Sequence, residues 1–252
     1  STIPLATIGE KLKNPQRVVG IHFFNPVPLM QLVEVVADTN TDKQVVENAM
    51  VFVGKIDKLP LPVKSAPGFL VNRVLIEYLL ESAALYLEGV PGPVIDRAAT
   101  DYGMMMGPIE LMDNIGLDIC IAAAGSLGKP LPELVVNMVK NGQLGKKTGS
   151  GFYVYKNGKL IKPKVDPAVK IPEDITDRLI MRLINEATAC LREGIVTDGD
   201  LVDAGLIFGA GFAPFRGGPM TYVAEQQKAN IKARLESLAS RYGVRFEPDP
   251  GW

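Results

Sequence analysis

The chain has one histidine, one tryptophan and two cysteines in 252 residues. Cys120 and Cys190 lie in helix-like apolar contexts and make neither a metal set nor a disulfide framework, so reduced thiols in the cytoplasm are expected. Neither sign of charge dominates: 27 Lys and Arg face 28 Asp and Glu, for a net charge of −1. That balance leaves no basic stripe for nucleic acid and no polybasic patch for a membrane surface. No apolar run approaches the roughly 20 residues of a membrane span, and STIPLATIGEKLKNP at the N-terminus has neither basic leader nor long apolar core. A G-x-G-x-x-G turn after a strand is also missing, since Gly149-Ser-Gly151 and Gly209-Ala-Gly211 lack the third glycine. What remains is 47% hydrophobic and 22% charged, an ordinary globular composition at a length for one or two domains. A first residue of Ser with a strand pair close behind fits a fragment cut from a longer protein, trimming of an initiator Met being the alternative.

The sole histidine sits in RVVGIHFFNPVPLMQLVEVV (17–36). Two runs rich in Val, Phe and Leu, 17–24 and 31–37, flank Asn-Pro-Val-Pro and read as strands. A link this short excludes a parallel crossover, so the strands are antiparallel neighbours. With the turn near Val27–Pro28, opposed residue numbers sum to about 55 or 56, which puts His22 across from Val33 or Glu34. A lone His on a strand is commonly a satisfied structural residue. The pairing argues for a dyad: a buried Glu needs a partner, and an imidazole held by a carboxylate can take a proton near neutral pH.

Downstream, Thr41-Asp-Lys-Gln44 has the form of a capping box opening a helix, with Val45, Ala49, Phe52 (or Val53) and Ile56 at helical spacing. Leu59-Pro-Leu-Pro-Val63 reads as an extended edge segment. Residues 1–64 thus look like the tail end of a larger α/β domain, too small to hold a nucleotide site alone. From Pro67-Gly68 the texture is helical: Leu70, Val74, Leu75, Tyr78, Leu79 and Ala83 form a stripe that closes at Gly89. Further helices start near Pro93, Pro108 and Pro130. LGKKTGSG (144–151) leads into Phe-Tyr-Val-Tyr155, and Asn157-Gly158 predicts a hairpin. Residues 156–174, with five lysines and interspersed prolines, read as a linker before helical texture returns to about Tyr242.

The two helical stretches repeat one another. Asn72-Arg…Glu81…Glu88-Gly89 aligns with Asp177-Arg…Glu186…Glu193-Gly194, and Tyr102-Gly…Gly-Pro108 with Phe208-Gly…Ala-Pro214. Duplication, with like units packing face to face as in a dimer fused into one chain, is the physical reading. Lys146 and Lys147 could place a cation near a phosphate, although such a loop is often only a turn. By residue type alone, Asn72 reads as a capping or surface residue and Tyr222 as core.

Together, RVVGIHFFNPVPLMQLVEVV, APGFLVNRVL, Tyr102-Gly…Gly-Pro108 and LGKKTGSGFYVY resemble L-3-hydroxyacyl-CoA dehydrogenase over nearly the whole chain, and GFAPFRGGPMTY is similar to the multifunctional fatty-acid oxidation alpha subunits. The resemblance implies a mainly α chain: a remnant of a Rossmann-type NAD-binding domain (1–64), a first helical domain of the 6-phosphogluconate-dehydrogenase C-terminal kind (65–155), the linker, and a second such repeat (175–252). It implies NAD-dependent oxidation of L-3-hydroxyacyl-CoA to 3-ketoacyl-CoA in fatty-acid beta-oxidation. His22 would be the base and Glu34 the acid that orients it. Ser1, Asn72 and Tyr222 would contact substrate, and Ser1, Asn25 and Lys147 the cofactor. Missing Rossmann and enoyl-CoA hydratase parts, a thiolase subunit and a second copy of the chain are the partners the resemblance brings with it. A fragment without the pyrophosphate-binding turn is expected to bind NAD weakly and turn over little. The alternative is a non-catalytic helical packing or dimerisation module of that enzyme.

Overall fold

The computed structural model describes residues 3–166, 168 and 170–252. Ser1 lies outside the described residues. After a short helix α1 (Leu5–Gly9) come β1 (Gly20–Phe23), β2 (Leu32–Ala37), α2 (Lys43–Lys55) and β3 (Leu59–Lys64). Helices α3 (Val71–Leu87), α4 (Gly92–Tyr102), α5 (Pro108–Ile115), α6 (Leu117–Ser126) and α7 (Glu133–Lys140) follow, then a hairpin of β4 (Val154–Lys156) and β5 (Lys159–Ile161). The chain ends with α8 (Ile175–Arg192), α9 (Gly199–Ala210), α10 (Pro219–Glu225) and α11 (Lys228–Tyr242). The fold is therefore mainly helical, with two small sheets. Residues group into two compact units: Ser1–Val74 with Glu186–Lys228 and Asp249–Trp252, and Leu75–Asn185 with Ala229–Pro248.

In the first unit, β1 and β2 are antiparallel with His22 opposite Glu34 and Phe23 opposite Val33. This is one of the two registers the turn allowed. β3 pairs parallel to β2, with α2 as the crossover, in the order β1-β2-β3. Pro60 and Pro62 thus fall on an edge strand, where a missing N–H costs no ladder bond. One sheet face packs Val33 and Val35 against Ala49 and Val53 of α2, with Ile21, Val46 and Met50 around them. The inward stripe of α2 is therefore Val46, Ala49, Met50 and Val53. Of the two alternatives at the third position Val53 is buried, as is Ala49, while Phe52 and Ile56 are exposed. Two helical stripes overlap at Ala49 in this apolar segment, and the sheet selected the one that carries Val46, Met50 and Val53. The capping box does not form either. The Thr41 hydroxyl accepts from Asp38 N at 2.9 Å and donates to Val18 O at 3.1 Å, and Asp42 becomes the N-cap without a side-chain bond.

The opposite sheet face carries Leu32, Glu34 and Val36, and α9 lies close to it. A Cβ on Gly205 would come within 2.7 Å of Leu70 Cδ2 and 2.9 Å of Leu61 Cδ2. One on Gly209 would meet Val71 Cγ2 at 2.8 Å and Leu32 Cδ2 at 2.9 Å. Bare backbone at these two positions, one helical turn apart, is what lets α9 approach this face and the start of α3.

In the second unit, buried carboxylates tie helices to loops. Asp96 accepts from Ile109 N at 2.8 Å and from the Tyr153 hydroxyl at 2.6 Å; Asp113 accepts from Phe152 N at 2.9 Å and Tyr153 N at 2.8 Å. Burial pushes both carboxyls above the usual aspartate range, against these hydrogen bonds. The hairpin turn falls on Asn157-Gly158, both in the left-handed region (φ 51 and 72), so β5 occupies part of the stretch read as linker. Among the described residues no helix is long and apolar enough to cross a membrane.

Candidate active site

His22 leaves β1 on the face where Glu34 leaves β2, and its Nδ1 lies 2.7 Å from Glu34 Oε2. The carboxylate is fully buried while the imidazole keeps 20% of its side-chain surface exposed. A buried charge must be satisfied on both oxygens. Here Oε1 accepts from Leu70 N at 3.1 Å and Val71 N at 3.0 Å, the amides at the start of α3. Helix N-termini favour anions because their first N–H groups have no partner within the helix. An acceptor-only carboxylate facing Nδ1 makes that nitrogen the protonated one. Nε2, which has no hydrogen-bond partner among the described residues, is left as the basic nitrogen.

The local chain geometry explains why α3 points at Glu34. Gly68 and Phe69 are both left-handed (φ 75 and 50), which turns the chain sharply before Val71. Glycine takes that conformation freely, but for a bulky residue it costs about 1–2 kcal/mol. The Phe69 ring is buried and meets the imidazole edge-on, with centroids 5.4 Å apart and planes at 67°. Phe24, two residues along from His22, meets it at 4.7 Å and 69°. The imidazole is thus held by one carboxylate and two aromatic rings. Those rings and the α3 amides escaped the sequence reading, although Pro67-Gly68 ahead of an amphipathic run does mark the turn.

Asn72 is the second residue of α3, next to Val71 whose amide binds Glu34. It is half-buried, and its side-chain amide has no hydrogen-bond partner among the described residues. Asn25 lies exposed in the turn between β1 and β2, ahead of a cis peptide bond to Pro26. That turn is braced by Lys58 Nζ, which donates to Val27 O at 2.9 Å and Met30 O at 2.8 Å. Tyr222 is buried in α10 with the Arg216 guanidinium 5.6 Å over its ring, and none of the interactions described links it to the dyad. Lys147 belongs to the second unit, where it donates to both oxygens of Asp118 at 2.6 and 2.7 Å and holds that carboxyl below the usual range. Among the described residues no His, Cys, Asp and Glu cluster could hold a metal.

Comparison with known proteins follows the same residues. Residues 1–66 match the family model for the 3-hydroxyacyl-CoA dehydrogenase NAD binding domain, and residues 68–155 the one for the 3-hydroxyacyl-CoA dehydrogenase C-terminal domain. The fatty acid oxidation complex subunit alpha of Shewanella baltica (strain OS185) is 35% identical over 265 residues, which covers 98% of this chain and 38% of that protein. Its namesake from Vibrio vulnificus (strain CMCP6) is 36% identical over 266 residues, covering 100% of this chain and 38% of that protein. The chain therefore spans 38% of the length of these relatives. Among solved structures, 3-hydroxybutyryl-CoA dehydrogenase from Escherichia coli K12 superposes with a TM-score of 0.82 at 25% identity, covering 98% of this chain and 72% of that one. The dehydrogenase part of multifunctional enzyme 1 from C. elegans gives 0.70 at 26% identity, covering 100% and 62%. The chain belongs to the 3-hydroxyacyl-CoA dehydrogenase family.

Proposed function

We propose that this member of the 3-hydroxyacyl-CoA dehydrogenase family supplies the proton-transfer site for oxidation of L-3-hydroxyacyl-CoA to 3-ketoacyl-CoA in fatty-acid oxidation. The observation that carries the reading is the His22–Glu34 contact at 2.7 Å, with Nε2 unpartnered among the described residues. NAD, the cofactor of the family, accepts the hydride when bound. The residues present fit its reactive end: a basic nitrogen at the partly exposed rim of the sheet and Asn25 in the adjoining turn. They do not include a glycine-rich strand-to-helix turn for its pyrophosphate. His22 takes the 3-hydroxyl proton on Nε2. Glu34 holds Nδ1–H and compensates the positive charge that then develops. The α3 amides keep Glu34 from swinging away, and Asn72 offers its free side-chain amide to the substrate. Lys147, Tyr222 and Ser1 enter this reading through the family likeness alone.

Two further features support the duplicated architecture. In one unit Arg73 donates to Glu186 and Glu193, each at 2.6 Å. In the other, Arg178 donates to Glu81 at 2.7 Å and Glu88 at 2.6 Å. The arginine of each copy meets the glutamates of the other, the reciprocity of a two-fold interface. The copies also share a cap. Asp96 binds the amides that follow Gly107-Pro108, and Asp203 those that follow Gly218-Pro219, at 2.6 Å to Met220 N and 3.0 Å to Thr221 N. Pro219, rather than Pro214, is then the counterpart of Pro108, because Pro214 opens a separate single turn. Where the first copy has Asn72 without a side-chain partner among the described residues, the second has Asp177 held by Arg234, so on this reading the first copy is the one that meets substrate.

On this reading the parent protein lies in the cytoplasm, is longer than these 252 residues, and carries the rest of the NAD-binding domain and a hydratase, with a thiolase subunit or a second copy as partner. NADH oxidation with acetoacetyl-CoA tests the core of it. In the full-length protein, His22→Gln lowers the rate by about 10²–10⁴-fold with the fold intact. A folded His22→Gln protein with unchanged rate would exclude His22 as the base.

A further inference from the structure

We propose that Phe69 is a positioning residue for His22: its ring packs against the imidazole that Glu34 holds at Nδ1 and limits the tilt that one hydrogen bond still permits. The role of His22 as base is taken from the reading above, but the placement of the ring is independent of it. The Cβ–Cγ bond and the hydrogen bond from Nδ1 set the orientation of the imidazole, and the small tilts that the softness of one hydrogen bond still permits are opposed only by what packs against the ring. Two edge contacts, Phe24 at 4.7 Å and Phe69 at 5.4 Å with interplanar angles of 69° and 67°, supply the missing restraints. Phe24 lies just past the end of β1, two residues from His22 on the same segment, and moves with it. Phe69 comes from a different segment, so it is the ring that ties the imidazole to the rest of the unit. Its backbone is left-handed at φ 50, a conformation bulky residues seldom keep without compensation, and it is buried. The same turn delivers the Leu70 and Val71 amides to Glu34. Strain at Phe69 is thereby coupled to both members of the dyad.

Because His22 is the only histidine, selective ¹⁵N-histidine labelling gives a single imidazole to follow by NMR in this chain. Phe69→Leu is expected to keep the Nδ1–H tautomer but to speed exchange of that proton with water at least tenfold and broaden the ring signals. Phe69→Tyr, which keeps the ring, restores both. In the full-length enzyme Phe69→Leu lowers kcat about tenfold and leaves the KM for acyl-CoA within about twofold. A folded Phe69→Leu chain with exchange and linewidths of the parent overturns the proposal. If that variant does not fold, the unmodified chain decides: NOEs from the Phe69 ring to the imidazole protons, with restricted ring motion, support it, and their absence overturns it. A parent protein without dehydrogenase activity would refute the reading of His22 as base while the NMR result still judges Phe69.

Discussion

Glu34 has both oxygens committed, so an isosteric substitution must sacrifice one of its bonds. In Glu34→Gln the amide oxygen can keep the Leu70 and Val71 donors, and the NH₂ then faces His22 Nδ1. Two donors cannot share that contact, so the imidazole shifts to its Nε2–H tautomer and loses the Nε2 lone pair proposed to take the substrate proton. We expect kcat to fall about 10²–10⁴-fold, with a ¹⁵N spectrum reporting Nε2–H and a stability loss of about 1–3 kcal/mol in urea. An unchanged tautomer in a folded Glu34→Gln chain would remove Glu34 from the mechanism. The dyad was legible in the sequence because a short turn restricts the hairpin to two registers, and one of them opposes His22 and Glu34. The bonds to Leu70 and Val71 were not, because they join residues 36 and 37 positions apart and depend on how α3 docks.

Elements were read well where one local rule acted and poorly where two competed. The Asn157-Gly158 hairpin and the edge position of β3 follow from turn chemistry and from proline. α2 defeated the periodicity argument because it offers two apolar stripes, and Thr41 defeated the capping rule because Val18 O and Asp38 N claim its hydroxyl. The glycines of α9 were weighed as a failed phosphate loop and as part of the repeat, whereas Gly205 and Gly209 serve its packing. The two glycines differ in what they face. Gly205 meets the flexible ends of Leu70 and Leu61, which can yield, and Ala gains about 1 kcal/mol in helix propensity. Gly209 meets both methyls of Val71, a β-branched side chain stiff at χ1 whose own amide binds Glu34. Gly205→Ala should leave Tm nearly unchanged, while Gly209→Ala lowers stability by about 1–3 kcal/mol and disturbs the single imidazole signal of His22. Equal effects at the two positions would show that the approach of α9 is not set by Val71.

Across the whole chain, the recurrence of charged residues at a fixed offset was legible, but not that Arg73 would meet Glu186 and Glu193 while Arg178 meets Glu81 and Glu88. The two exchanged clusters are built in different surroundings. Arg178 and Glu81 are buried at 0% and 1% exposure, and Glu81 also accepts from Arg245 at 2.8 Å. Arg73 is 18% exposed and binds Glu186 at 15% and Glu193 at 37%, a cluster only partly open to solvent. Removing one member of a buried pair strands a charge, at about 3–5 kcal/mol, whereas an exposed pair is worth about 0–1 kcal/mol. Arg178→Met should therefore be the more damaging change and Arg73→Met the milder. The acid response separates them further. The hydrogen bond from Arg73 holds the Glu193 carboxyl below the usual range, and that from Arg192 does the same for Asp249. A carboxyl depressed in the folded state stabilises above its unfolded value, and the contribution disappears as pH falls through the folded one. Chemical denaturation of the parent chain should thus show stability decreasing below about pH 4. Arg73→Met, in which Glu193 returns toward its ordinary range, should flatten part of that acid limb while costing about 1–3 kcal/mol near pH 7, less than Arg178→Met. An acid limb as steep in Arg73→Met as in the parent would mean that the Arg73–Glu193 pair does not form in solution.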